Sequence, residues 1–138
     1  TQLTKSNPPT LKLIDPSQEY NKTLEKKDVK SSLSKILPRD VFKVLYSKIV
    51  QGSRGFRYAM ASKDSYLFLQ SACLFGEAEY DALIIIDTKE SSTSVCWHDH
   101  DSAKTIMFSN KNPPKTINIP ACSLDFSNEI VDSYSHNN

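Results

Sequence analysis

Ser65-Tyr66-Leu67-Phe68-Leu69-Gln70-Ser71-Ala72-Cys73-Leu74, followed shortly by Ala82-Leu83-Ile84-Ile85-Ile86-Asp87-Thr88, decides the fold class. The first stretch alternates. Tyr66, Phe68, Gln70 and Ala72 share one side, and Leu67, Leu69, Ser71 and Cys73 the other, which is the two-residue period of a strand. The second is apolar without alternation, as expected of a central strand covered on both faces. Upstream, Phe56–Ser62 alternates and Lys63-Asp64 supplies a tight polar turn. Gly76–Asp81 reads as a loop and Lys89–Ser92 as a turn. Thr93–His98, Lys104–Ser109 and Lys115–Ile119 read as further strands.

Ahead of these strands the period lengthens. Val29, Leu33, Ile36 and Leu37 fall at i, i+4, i+7 and i+8, one stripe of a helix. Pro38 interrupts it and can open a second helix, because the first turn has no use for its missing N–H. Phe42, Leu45, Tyr46 and Ile49 continue at i, i+3, i+4 and i+7 until Gly52. Two short helices, or one kinked helix, are expected over about 28–51. Pro8-Pro9 and Asp15-Pro16 mark residues 1–22 as an extended N-terminal tail, leaving 23–138 as a single domain. Leu11, Leu13 and Ile14 allow that tail two placements, on its own sheet or, in a homodimer, on a neighbouring copy. Ser123 is placed to cap a terminal helical turn running through Asp132, with a frayed end from Ser133. The expected fold is α+β, with N-terminal helices packed on one face of an antiparallel sheet of five to six strands. Its expected core is Leu45, Ile49, Leu67, Leu69, Leu83, Ile85, Val95, Ile106 and Phe108.

The 138 residues carry a formal net charge of +1, which conceals a division. Residues 1–57 hold twelve basic and five acidic side chains, whereas 58–138 hold five basic and eleven acidic ones. The acidic half excludes a uniformly basic nucleic-acid coat. The longest apolar run, Ala82–Ile86, is strand-sized and far short of the ~18–20 residues of a membrane-spanning helix. Three cysteines, Cys73, Cys96 and Cys122, allow one disulfide in three pairings plus a free thiol, or three buried reduced thiols. With Thr1 first and no basic-then-apolar leader, the expectation is an exported, periplasmic protein, with the cytoplasm as alternative.

Several constellations could carry chemistry. Cys96, His98 and His100 would point to one side of a continuing strand and could offer a metal two imidazoles and a thiolate. Asp87-Thr88-Lys89 at the end of an apolar strand has the residue types of a Mg²⁺-dependent nuclease site. Its upstream carboxylate partner would be Asp64, read as lying in a hairpin turn at the wrong end. No Gly-x-Ser-x-Gly or glycine-rich phosphate loop exists, since the three glycines stand at 52, 55 and 76. The basic stretch 22–48 lacks the turn glycine of a helix-turn-helix, and Phe42 and Tyr46 stand at core spacing. The loop Leu74–Asp81 combines Phe75 and Tyr80 with Glu77, Glu79 and Asp81. Exposed aromatics among carboxylates on a loop held by rigid strands suit a contact with a basic protein partner. Catalysis, a cofactor and nucleic-acid binding are therefore not expected.

Asp64–Cys73, with Tyr66 and Ser71-Ala72-Cys73, resembles a passage in the bacterial inhibitor of vertebrate lysozyme family. The pattern is similar over about 60–110, and the residues are similar at Tyr66, Ser71, Ala72 and Cys73. The resemblance implies a periplasmic inhibitor that inserts a loop into the cleft of a peptidoglycan-cleaving enzyme. Immunity proteins against peptidoglycan-degrading effectors, including those of type VI secretion, do the same job. The family's loop carries a histidine and a second cysteine; neither residue occurs between Leu74 and Asp81. Glu77 or Glu79 would have to take the inhibitory role, hydrogen-bonding a protonated catalytic carboxyl. The expected function is thus a non-enzymatic immunity or inhibitor protein bound to a peptidoglycan hydrolase effector. The alternatives are a metal-binding or metal-dependent domain using Cys96, His98, His100 and Asp87, and a cytosolic immunity protein to a nuclease toxin.

Overall fold

Seven strands pair strictly in chain order, each antiparallel to the next: β1 (Lys12–Ile14), β2 (Phe56–Lys63), β3 (Tyr66–Cys73), β4 (Tyr80–Asp87), β5 (Ser92–Asp99), β6 (Lys104–Ser109) and β7 (Lys115–Ile117). The computed structural model describes residues 11–14, 16–51, 56–73 and 79–135. The expected α+β class and antiparallel sheet are present, with one strand more than the upper expectation. The addition is β1, in which Leu13 stands opposite Ala61 and Ile14 opposite Met60. Part of the expected tail is therefore the first edge of the sheet.

Tight turns account for the order at three of the connections, whereas β1 reaches β2 through the helices. Asp64, Ser91 and Ala103 adopt left-handed backbone conformations at the β2–β3, β4–β5 and β5–β6 turns, with φ of 55°, 53° and 58°. Such residues reverse the chain within a few positions, so neighbours in sequence become neighbours in the sheet.

Three helices cover one face. α1 (Pro16–Glu25) begins inside the stretch expected to be extended. Pro16 occupies the first helical position, where proline costs no hydrogen bond, so it starts a helix rather than opposing one. Tyr20 and Leu24, one turn apart, are completely buried. α2 (Lys27–Ile36) buries Val29 and Leu33, and then Leu37 turns extended ahead of Pro38. α3 (Arg39–Gln51) follows, so the two-helix alternative for 28–51 is the one observed. Tyr46 ties this layer together by donating its phenolic hydrogen to the Leu24 carbonyl at 2.7 Å.

The face beneath these helices carries Met60, Leu69, Ile84, Val95 and Phe108, with Leu67, Trp97 and Ile106 half-buried beside them. Met60, Leu69, Ile84, Val95 and Phe108 form a single row across five strands. Of the expected core, Leu45, Leu69, Leu83, Ile85, Val95 and Phe108 are buried, and Leu67 and Ile106 are half-buried. The side chain of Ile49 lies outside the described residues.

The opposite face is also covered, which the one-face expectation did not include. A 3₁₀ turn (Leu124–Phe126) and α4 (Ser127–Ser135) lie over Phe68, Leu83, Ile85, Cys96 and Met107. Ser123 stands at the cap position without a side-chain cap bond, so the expected hydroxyl cap is not made. Other contacts fasten the segment. Leu124 N donates to Gln70 Oε1 at 2.7 Å, Lys63 Nζ donates to Asn128 Oδ1, and Cys96 is disulfide-bonded to Cys122. The unbroken apolar run of β4 thus has a layer on each side, as its lack of alternation requires. Among the described residues no helix is long and apolar enough to cross a membrane.

Candidate functional site

The strand period divides the loop acids expected to act together. β4 begins at Tyr80 rather than at Ala82, so alternation already applies there. Tyr80 lies on the helix-covered face with Ala82 and Trp97, whereas Asp81 lies on the other. Tyr80 is only 1% exposed, and its ring stacks on Trp97 at 4.4 Å and 15° between planes. An exposed Tyr80 was expected; the hairpin pairing of β4 with β5 puts its ring against Trp97 instead. Phe75 and Glu77 lie outside the described residues.

Around that stacked pair the chain assembles a cavity of about 450 Å³. Carboxylates reach it from three places: Asp40 in the first turn of α3, Glu79 just before β4, and Asp99 and Asp101 at the β5–β6 turn. Val41 and Val44 of α3 and Ile106 and Phe108 of β6 supply apolar walls. Lys104 is the one basic side chain among the described residues lining it. The β5–β6 turn is held by its own bonds: Asp101 N donates to Asp99 Oδ1 at 2.9 Å, and Ala103 N donates to Asp99 O at 2.8 Å. His100 N donates to Glu79 O at 3.2 Å, which ties the residues before β4 to this turn. An aromatic stack beside acidic side chains is chemically suited to positive charge carried on an apolar stem.

On the far face, His98 and His100 do share a side with Cys96, with the two rings 5.5 Å apart. The metal reading fails at the third ligand. Cys96 is fully buried and disulfide-bonded to Cys122, so its sulfur is committed, and no group of three candidate ligands converges among the described residues. The imidazoles have other partners. His100 Nε2 lies 3.2 Å from Asp81 Oδ2. Thr105 Oγ1 donates to the Ile119 carbonyl at 2.6 Å and lies 2.8 Å from His98 Nδ1. Its one hydrogen is spent on that carbonyl, so His98 Nδ1 must be the donor.

Asp87 is likewise occupied. Its Oδ1 accepts from Lys89 N at 3.0 Å, Glu90 N at 3.3 Å and Ser65 Oγ at 3.3 Å, which closes the β4–β5 turn onto the neighbouring hairpin. Asp64 is at this same end, because Tyr66 pairs with Asp87; the expected wrong-end placement is corrected. The Tyr66 phenol beside the turn is pushed above its usual range, first by burial and then by the Asp87 and Glu90 carboxylates. Substituting Asp87→Ala strands two backbone N–H groups and is expected to cost about 1–2 kcal/mol in a urea unfolding series.

The acidic cavity was not legible in the sequence, although Trp97 and each carboxylate were. Its assembly depends on α3 meeting the open end of the β4–β6 meander. No protein-family model matches the chain, and neither the curated proteins nor the solved structures contain a match to it.

Proposed function

We propose that this chain is a non-enzymatic binding protein that neutralises a basic, cell-wall-degrading bacterial enzyme, in the manner of an immunity protein or lysozyme inhibitor. The observation that carries the reading is the cavity beside Glu79, where four carboxylates surround a Trp97–Tyr80 stack with one lysine among them. Such a surface attracts a cationic protein and offers it an aromatic contact. The resemblance of Asp64–Cys73 to the lysozyme-inhibitor family adds support, since that strand leads directly toward Glu79. The Cys96–Cys122 disulfide favours an oxidising compartment, and we assign the protein to the periplasm.

Peptidoglycan hydrolysis tests this. Clearing of a cell-wall suspension by vertebrate lysozyme, and by any hydrolase encoded beside the gene, is followed with and without the protein. Inhibition of at least one enzyme is expected, weakening as salt rises because the attraction is partly long-range. Glu79→Lys with Asp101→Lys should weaken it roughly tenfold or more. Undiminished hydrolysis by both enzymes at tenfold excess of inhibitor in low salt overturns the proposal.

A further inference from the structure

We infer that the cavity between α3 and the β5–β6 turn receives an arginine side chain of the basic partner, stacked on Trp97 and held by the surrounding carboxylates. This rests on the binding reading above and names the chemistry of its anchor. Three features of the site select that ligand. Its floor is a half-buried indole backed by the Tyr80 ring, and indole is the aromatic face that attracts a cation most strongly. Its walls, Val41, Val44 and Ile106, suit a methylene stem. Its acidic residues, Asp40 of α3, Glu79 ahead of β4, and Asp99 and Asp101 of the β5–β6 turn, line the cavity from three parts of the chain.

Competing ligands fit less well. A metal ion needs several oxygens converging within bonding distance, and no such group forms among the described residues. An anion would face four carboxylates with only Lys104 in support. A lysine ammonium is a compact point charge with a tight hydration shell. A guanidinium is planar, less strongly hydrated, and able to stack while its edge donates to carboxylates. At about 450 Å³ the cavity lies within the usual range for small-ligand sites, roughly 300–1,000 Å³, leaving room for the arginine and part of its flanking backbone.

Trp97 is the only tryptophan in the chain, so its indole signal reports on this cavity alone. The probes are acetyl-Gly-Arg-Gly-amide, its citrulline counterpart, which keeps the shape and loses the charge, and free n-butylguanidinium. The expected result is a saturable change in Trp97 fluorescence and indole N–H chemical shift at millimolar arginine peptide. The citrulline peptide should bind at least tenfold more weakly. Asp99→Asn with Glu79→Gln should cut arginine-peptide binding at least fivefold; Asn at 99 keeps an acceptor for Asp101 N, and an unchanged urea midpoint confirms the fold. Equal response to arginine and citrulline, no response at Trp97, or tight binding of butylguanidinium with exclusion of the peptide overturns the inference. The two proposals fail separately. Arginine-selective binding without inhibition of any hydrolase removes the function and leaves the pocket. Full inhibition by the Asp99→Asn, Glu79→Gln protein removes the pocket and leaves the function.

Discussion

Replacing Cys122 by serine is expected to lower the unfolding free energy by about 3.5 kcal/mol at 25 °C, the loop-entropy value for a cross-link of this span. Cys96 and Cys122 stand 26 residues apart, and the loop they close contains β6 and β7. Both are completely buried on the sheet face away from α1–α3. Cutting the link frees the segment before the terminal helix in the unfolded chain and also leaves a hydroxyl among Leu83, Ile85 and Met107. A Tm fall of roughly 10–15 °C corresponds to a loss of that size in a domain of this length. Urea unfolding with and without reductant measures it: reduced wild type should coincide with Cys122→Ser, and both should unfold well before the oxidised protein. A thiol titration of denatured, unreduced protein should return one thiol per chain, and three after reduction. Coincident oxidised and reduced transitions would mean that packing alone holds the terminal layer.

Much of the architecture follows from local pattern. The hairpin order and the helix boundaries at Pro38 needed only period and turn chemistry, which act over a few residues. One element and one placement escaped, for opposite reasons. Among the described residues of α1 the buried apolar side chains are Tyr20 and Leu24, too brief a stripe to outweigh Pro16 read as a breaker, although proline at a first helical position is compatible with a helix. The terminal helical segment was legible from Ser123 to Asp132, but its place over the second face of the sheet was not. Ala82–Ile86 demanded cover on two sides, yet Leu124, Phe126, Ile130 and Val131 sit among polar residues with no extended stripe. The site was hidden differently. Glu79 and Tyr80 were singled out in a loop, but strand register decides which face each takes, and register is a property of the pair β4–β5. The disulfide pairing likewise depends on where an irregular segment crosses the sheet.

The adjacent residues Leu83 and Ile84 test the two-layer arrangement most directly. Each is completely buried, Leu83 under the terminal segment and Ile84 under the helices. Leu83→Ala and Ile84→Ala are each expected to cost about 3–4 kcal/mol, the transfer loss plus an incompletely filled cavity. In a sheet covered on one face only, one of these neighbours would face solvent and its truncation would be nearly neutral. Their couplings to the cross-link should differ. Leu83 stands directly opposite Cys96, so loosening the terminal layer with Cys122→Ser should let that face relax around the truncated side chain. The double variant Leu83→Ala, Cys122→Ser is therefore expected to fall short of the additive loss by about 1 kcal/mol or more. Ile84, on the far side of the sheet beside Leu69 and Val95, should combine with Cys122→Ser almost additively. Urea midpoints at constant m-value supply all four comparisons. Equal coupling of both positions to Cys122 would mean that the sheet transmits the loss across its thickness, and the two cores would then be one cooperative unit rather than two layers sharing a wall.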